Sequence, residues 1–198
     1  MFVLKNIFLN MLNSINRNYV KASYQRIAWN YLINSNAEKY KEYIGNVLSF
    51  GLNNSESDNA AQDEALNGKK PNLILLKARL LFDGGYYDSS YEVIKKYPYT
   101  NLITEDNIEY AYRLGRIYHE KGEVEKALHY YNIVISQASK QLWFYAANSC
   151  LMAGLLCELH NKSEKALFYY KSCLNLNPDK YKVSIHQKAK AGINRIQN

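Results

Sequence analysis

From Asn107 to Ala138 the chain reads NIEYAYRLGRIYHEKGEVEKALHYYNIVISQA, with apolar or small residues at 111, 114, 115 and 118, then again at 124, 127, 128, 131, 134 and 135. Spacings of three and four place each set on one face of a helix. A Lys-Gly pair separates the two runs, so the stretch predicts a helix, a tight turn at Gly122 and an antiparallel second helix. Gly115 and Ala127 are small where the two helices approach most closely, and Leu114, Tyr118 and Tyr131 fill the space around that contact.

The same pattern recurs. Around residues 147–179, Cys150, Ala153-Gly154, Cys157, Ala166, Tyr170 and Pro178 occupy the matching slots, and Gly154 follows Gly115 by 39 residues. Asn177-Pro178-Asp179 stops that second helix, because proline cannot continue it. Upstream, PNLILLKARLLFDGGYYDSSYEVIKKY puts Ile74, Ala78 and Leu81 on a first helix, Gly85 in the turn, and Tyr87, Ser90 and Ile94 on a second. Lys77 stands where leucine is expected, so its stem snorkels or the helix rotates. The earliest copy has Tyr24, Ile27-Ala28 and Tyr31, then Ile44 and Val47. Its small-residue slot holds Tyr40, which is expected to wedge the pair apart.

The predicted organisation is an N-terminal amphipathic helix in 1–19, a divergent repeat in 20–51, a polar insertion in 52–70, repeats in 71–101, 107–141 and 144–179, and a capping helix in 180–198. Leu4, Phe8, Met11, Leu12 and Ile15 share one helical face of the first segment. That segment has neither a cleavage site nor the run of about 20 apolar residues that a membrane span needs. The insertion, with Ser57 or Asp58 as a cap and Gly68 as a stop, reads as a short helix decorating the array. At the other end Ile185, Ala189, Ile193 and Ile196 face the stack, while Gln187, Lys188 and Arg195 supply a polar outer cap.

The third and fourth copies resemble the tetratricopeptide repeat, whose signature of Trp, Leu-Gly, Tyr, Ala, Phe and Pro is met by Ala111, Leu114-Gly115, Tyr118, Ala127 and Tyr131, and by Cys150, Gly154, Cys157, Ala166, Tyr170 and Pro178. The resemblance implies an all-α fold, a superhelical α-solenoid of antiparallel helix pairs. The order of KARLLFDGGYY, YRLGRIYHEKG, FYAANSC and HQKAKAGINRI is most similar to tetratricopeptide proteins of Bacteroidetes-type bacteria. Members of that group extend further N-terminally, which leaves room for this chain to be the C-terminal part of a longer superhelix.

Composition agrees with helix: 47% hydrophobic residues and 19 tyrosines are interrupted by only 3 prolines and 9 glycines. The net charge of +7 divides into +2 over residues 1–70, 0 over 71–140 and +5 over 141–198. Lys182 and Lys190 point away from the other basic residues on the helical wheel, so there is no continuous nucleic-acid stripe and no nucleic-acid partner is expected. Cys150, Cys157 and Cys173 are odd in number, and the first two lie too far apart along one helix for a disulfide. Buried thiols fit the cytoplasm, and they also fit a bacterial envelope protein if an N-terminal signal region is missing.

No phosphate loop, nucleophile elbow or paired-histidine zinc helix occurs, so no catalytic activity and no cofactor is expected. Asp83-Gly84-Gly85 lacks the alternating carboxylates of a calcium loop. Cys157 and His160 stand at metal-ligand spacing, but no second pair completes a site, and Cys157 fills a core tyrosine slot.

What remains is a binding scaffold. The resemblance implies that a partner's peptide or helix lies in a concave groove lined by the outward positions of each first helix. Those positions are Arg79, then Tyr112, Arg113, Arg116 and His119, then Asn148, Leu151 and Leu155. They form a mixed basic and apolar surface suited to an acidic or apolar segment. The chaperone-binding branch clamps a terminal carboxylate, but Leu75 and Leu151 replace its polar residues here. The alternative use of the fold is self-association, as a homodimer or as a structural segment of a larger assembly, through an exposed apolar end.

Overall fold

The computed structural model describes residues 19–100 and 102–197; the amphipathic helix expected in 1–19 lies outside them but for Tyr19. Ten helices and no strands are found among the described residues. In order they are α1 (Val20–Ile33), α2 (Ala37–Ser49), α3 (Glu56–Asn67), α4 (Leu73–Asp83), α5 (Tyr87–Ile94), α6 (Glu105–Glu120), α7 (Val124–Ala138), α8 (Phe144–Leu159), α9 (Ser163–Leu174) and α10 (Lys182–Gln197). The chain divides into two compact units, residues 1–76 and 77–198.

Four helix hairpins, α1–α2, α4–α5, α6–α7 and α8–α9, turn on the same backbone device. Ser35, Gly85, Gly122 and Asn161 adopt left-handed φ values of 60°, 80°, 72° and 57°. The following amide donates five residues back in every case: Asn36 N to Tyr31 O at 3.0 Å, and Tyr86 N to Leu81 O, Glu123 N to Tyr118 O and Lys162 N to Cys157 O at 2.9 Å each. This bond satisfies a carbonyl at the end of each first helix and reverses the chain within a few residues. Glycine suits the left-handed position at two of the turns; asparagine tolerates it, and Ser35 is the least suited.

In the first unit, α3 packs on both α1 and α2. The insertion therefore does more than decorate. Ser55 caps α3 by accepting the Asp58 amide at 3.0 Å. Asp58, fully buried, turns its carboxylate to α1, whose N-cap Tyr19 offers no side-chain cap of its own. The Tyr19 amide donates to one oxygen at 2.9 Å and the Ala22 amide to the other at 3.1 Å. Two turns along α3, Glu64 accepts the Gln25 amide nitrogen at 2.7 Å and the Trp29 indole N–H at 2.8 Å. Reciprocally, the buried Lys21 of α1 donates to the Val47 carbonyl in the last turn of α2, at 2.7 Å. Tyr40, expected to act as a wedge, is buried instead, with the Lys70 ammonium 5.8 Å from its ring centroid. Burial and the nearby Glu64 push its hydroxyl up to about 12.

In α4 the expected leucine slot is solvent-exposed Lys77, while Leu75, Leu76 and Ala78 are buried. Ala78 nevertheless keeps the close-contact slot against α5, so the lysine faces solvent beside an intact helix contact. Ser90, at the small-residue slot of α5, donates its hydroxyl to the Ala78 carbonyl at 2.7 Å and so meets its hydrogen-bonding need within the helix contact.

The core of the second unit is built from tyrosine against glycine. A Cβ placed on Gly115 would stand 2.7 Å from the Tyr131 ring, and one on Gly154 2.5 Å from Tyr170. Along its opposite edge the same Tyr170 ring meets Gly192 of the capping helix, where a Cβ would come within 2.4 Å. Tyr170 is fully buried and is hemmed by both glycines, so it has nowhere to move. Gly192→Ala is therefore expected to cost about 2–3 kcal/mol of stability, read as a lower urea midpoint with an unchanged m-value; a change within 0.5 kcal/mol would show that α10 shifts freely. The hydroxyl of Tyr170 donates to Glu158, which also takes a bidentate contact from Arg195, both N–O distances 2.8 Å. The cap is thereby tied to α8 as well as to α9.

Candidate functional site

Residues from three first helices meet around the Tyr112–Arg116 pair. Tyr112 and Arg116 lie one turn apart on α6, and the Arg116 guanidinium donates to that hydroxyl at 3.0 Å. Asn148 of α8 donates to the same oxygen from its side-chain amide. The other face of the guanidinium lies 4.6 Å from the ring centroid of Phe82 on α4. One half-buried cation is thus held between an aromatic ring and a hydroxyl, which fixes its direction without neutralising it.

One turn further, His119 Nδ1 sits 3.1 Å from the Tyr131 hydroxyl. Burial lowers its pKa, and the positive charge of Arg116 adds to the effect. Sequence register explains the placement. His119 in α6 corresponds to Phe82 in α4 and Glu158 in α8, each four residues beyond the close-contact position at Gly115, Ala78 or Gly154. Phe82 was missed by the sequence reading, although the same register that marks His119 also marks it.

Other expected lining residues are placed differently. Arg113 is buried and paired with Glu109 on its own helix; its Nε lies 2.7 Å from the carboxylate. Burial pushes Glu109 upward, but the charges of Arg113 and Arg79 and a hydrogen bond from Tyr145 outweigh it and hold the carboxyl below its ordinary range. Arg79 makes a looser contact with Asp83 at 3.7 Å. These two arginines serve local ion pairs. Leu151 is fully buried in the α8–α9–α10 core, beside Tyr170 and Ile185. It cannot line an open surface, because the fourth repeat turns that position inward. Leu155 is partly exposed and packs on the edge of the same core.

The available surface across α4, α6 and α8 is accordingly Phe82, Arg116, His119, Asn148 and Leu155, with Tyr112 as its buried bracket. The three thiols stand apart from it. Cys150 and Cys173 are pushed up to about 12 by burial, and Cys157 is raised for the same reason. Nucleophilic chemistry at these sulfurs is disfavoured. Among the described residues no helix is long and apolar enough to cross a membrane.

A search of curated proteins returns no match to the chain. Residues 108–140 and 147–180, which span the hairpins α6–α7 and α8–α9, match the family model of the tetratricopeptide repeat.

Proposed function

We propose that this chain is a protein-interaction scaffold that holds a segment of a partner across α4, α6 and α8, with an acidic group of that segment at Arg116. Tetratricopeptide repeats generally mediate protein–protein interaction and are typically non-catalytic, and two stretches of this chain match their family model. The observation that carries the finer reading is the mounting of Arg116. Stacked on Phe82 and hydrogen-bonded to Tyr112, it is a preorganised cation near the polar Asn148, which reaches the same hydroxyl. Preorganisation lowers the ordering cost of binding, and arginine in such a setting is a common energetic anchor.

The test uses Arg116→Glu alone, since Arg113 belongs to a buried ion pair. A photo-crosslinking residue placed at Leu155 in the parent chain captures the segment lying on this face from native extract. The captured partner is expected to bind Arg116→Glu at least tenfold more weakly, with thermal unfolding of the variant close to that of the parent. Equal affinity would reject the surface.

A further inference from the structure

A groove of about 460 Å³ runs between α7 and α9, lined by Glu125, Leu128, His129, Asn132, Cys157, Lys165, Phe168 and Tyr169. It lies between two second helices, away from Arg116. Its meaning comes from comparison with the equivalent place one repeat earlier, between α5 and α7, where the Tyr118 ring packs between Tyr91 and Tyr130.

The correspondence holds slot by slot. Between the third and fourth repeats equivalent residues are 39 positions apart, and between the second and third 37. Tyr118 therefore corresponds to Cys157, Tyr130 to Tyr169, Lys126 to Lys165, and Tyr91 to Leu128. In the filled slot the Tyr118 ring stacks on Tyr130 at 5.6 Å with 13° between planes. It meets Tyr91 edge-on at 5.7 Å, and its hydroxyl donates to the Tyr91 hydroxyl at 3.3 Å. The Lys126 ammonium lies 5.1 Å from the ring centroid. All three neighbours have counterparts lining the open groove; only the ring is missing, since cysteine at 157 ends after one sulfur.

We propose that the α7–α9 groove is a docking slot for an aromatic side chain, a phenol ring above all, carried by a partner protein. Tyr169 offers the stacking face that Tyr130 offers to Tyr118, and Leu128 the apolar edge. Lys165 takes the cation–π place of Lys126. Lys126 is held by Glu123 at 2.6 Å, whereas the residue in the Glu123 slot of the fourth repeat is Lys162, so that slot carries no carboxylate to draw Lys165 away. The rim makes its own polar contacts: Lys162 pairs with Glu125 at 3.8 Å, and the Tyr169 hydroxyl donates to Asn132 at 3.0 Å. An uncharged ring thus meets an apolar floor without stranding a charge. Phe168, two-thirds exposed at the groove wall, gives a second apolar contact for the segment that bears the ring.

The probe is p-cresol, the side chain of tyrosine, titrated into the full chain and followed by NMR. Saturable shifts are expected at Leu128, Cys157 and Tyr169, in the millimolar range proper to so small a ligand. Binding of 4-methylcyclohexanol, similar in size but without a π face, should be about tenfold weaker. Cys157→Tyr supplies the missing ring from within and is expected to abolish the p-cresol shifts, while Arg116→Glu leaves them unchanged. Failure of the parent chain to show saturable shifts at those three residues would overturn the proposal whether or not the variant folds. Undiminished p-cresol binding by folded Cys157→Tyr would overturn it equally. Neither result bears on the Arg116 surface.

Discussion

Arg113→Glu is expected to destabilise the second unit by about 3–5 kcal/mol, the range found when one partner of a buried ion pair is removed, and to reverse the pH dependence of its stability. Arg113 and Glu109 are both largely shielded from water and lie against Tyr145. The substitution replaces the compensating cation with a second buried carboxylate. In the parent chain burial is outweighed by Arg113 and Arg79, so the folded-state pKa of Glu109 lies below its ordinary 4.5. Its contribution is present above that ordinary value and is lost as pH falls through the folded one. In the variant, burial and mutual repulsion raise both carboxyls, so stability is greatest at low pH and is lost as pH rises toward their folded values. Urea unfolding at pH 5 and pH 8 reads the difference. The variant should be more stable at pH 5 than at pH 8, with no such gain in the parent. A loss under 1 kcal/mol at pH 8 would mean that the pair is solvated and that Arg113 can reach a ligand.

The second large effect concerns the insertion. Asp58→Ala removes a fully buried carboxylate that accepts two amides at the start of α1 and a hydroxyl hydrogen bond from Ser55 at 2.7 Å. The Tyr19 and Ala22 amides would be left without their acceptor, at a cost of about 2–4 kcal/mol for charge-assisted bonds and a lost cap. Amide hydrogen exchange should accelerate first in α1 and α3, while α8 and α9 in the other unit stay protected. Asp58→Asn, which keeps one acceptor oxygen, is expected to recover part of the loss. If Asp58→Ala exchanges like the parent in α1, the insertion is peripheral after all.

These two sites show where reading the sequence succeeds and where it stops. Helical periodicity exposed the hairpins because buried apolar side chains recur at the helical repeat, and Gly115, Ala127, Gly154 and Ala166 mark close contacts that no larger residue fits. The insertion escaped that logic. The inward face of α3 is Asp58, Ala61 and Glu64, so a helix docked through carboxylates carries the pattern of a solvated one. The capping helix was legible through Ile185 and Ala189, but Gly192 was not, since its role exists only beside the Tyr170 ring. Among the expected lining residues, register alone could not tell Arg116, mounted on a ring from another helix, from Arg113, consumed by a carboxylate on its own.

The sequence by itself determined the all-α class, the helix-turn-helix unit and its recurrence, because periodicity, small-residue slots and turn residues are local properties of the chain. Tertiary structure alone decided which polar residues are spent inside the protein and which remain available. Burial and pairing depend on what a neighbouring helix presents: Glu64 meets the Trp29 indole 35 residues away, Asn148 meets Tyr112 36 residues away, and Cys157 lines a groove at the place where the Tyr118 ring packs one repeat earlier. Such pairings are set by packing across helices, and no periodicity along a single helix encodes them.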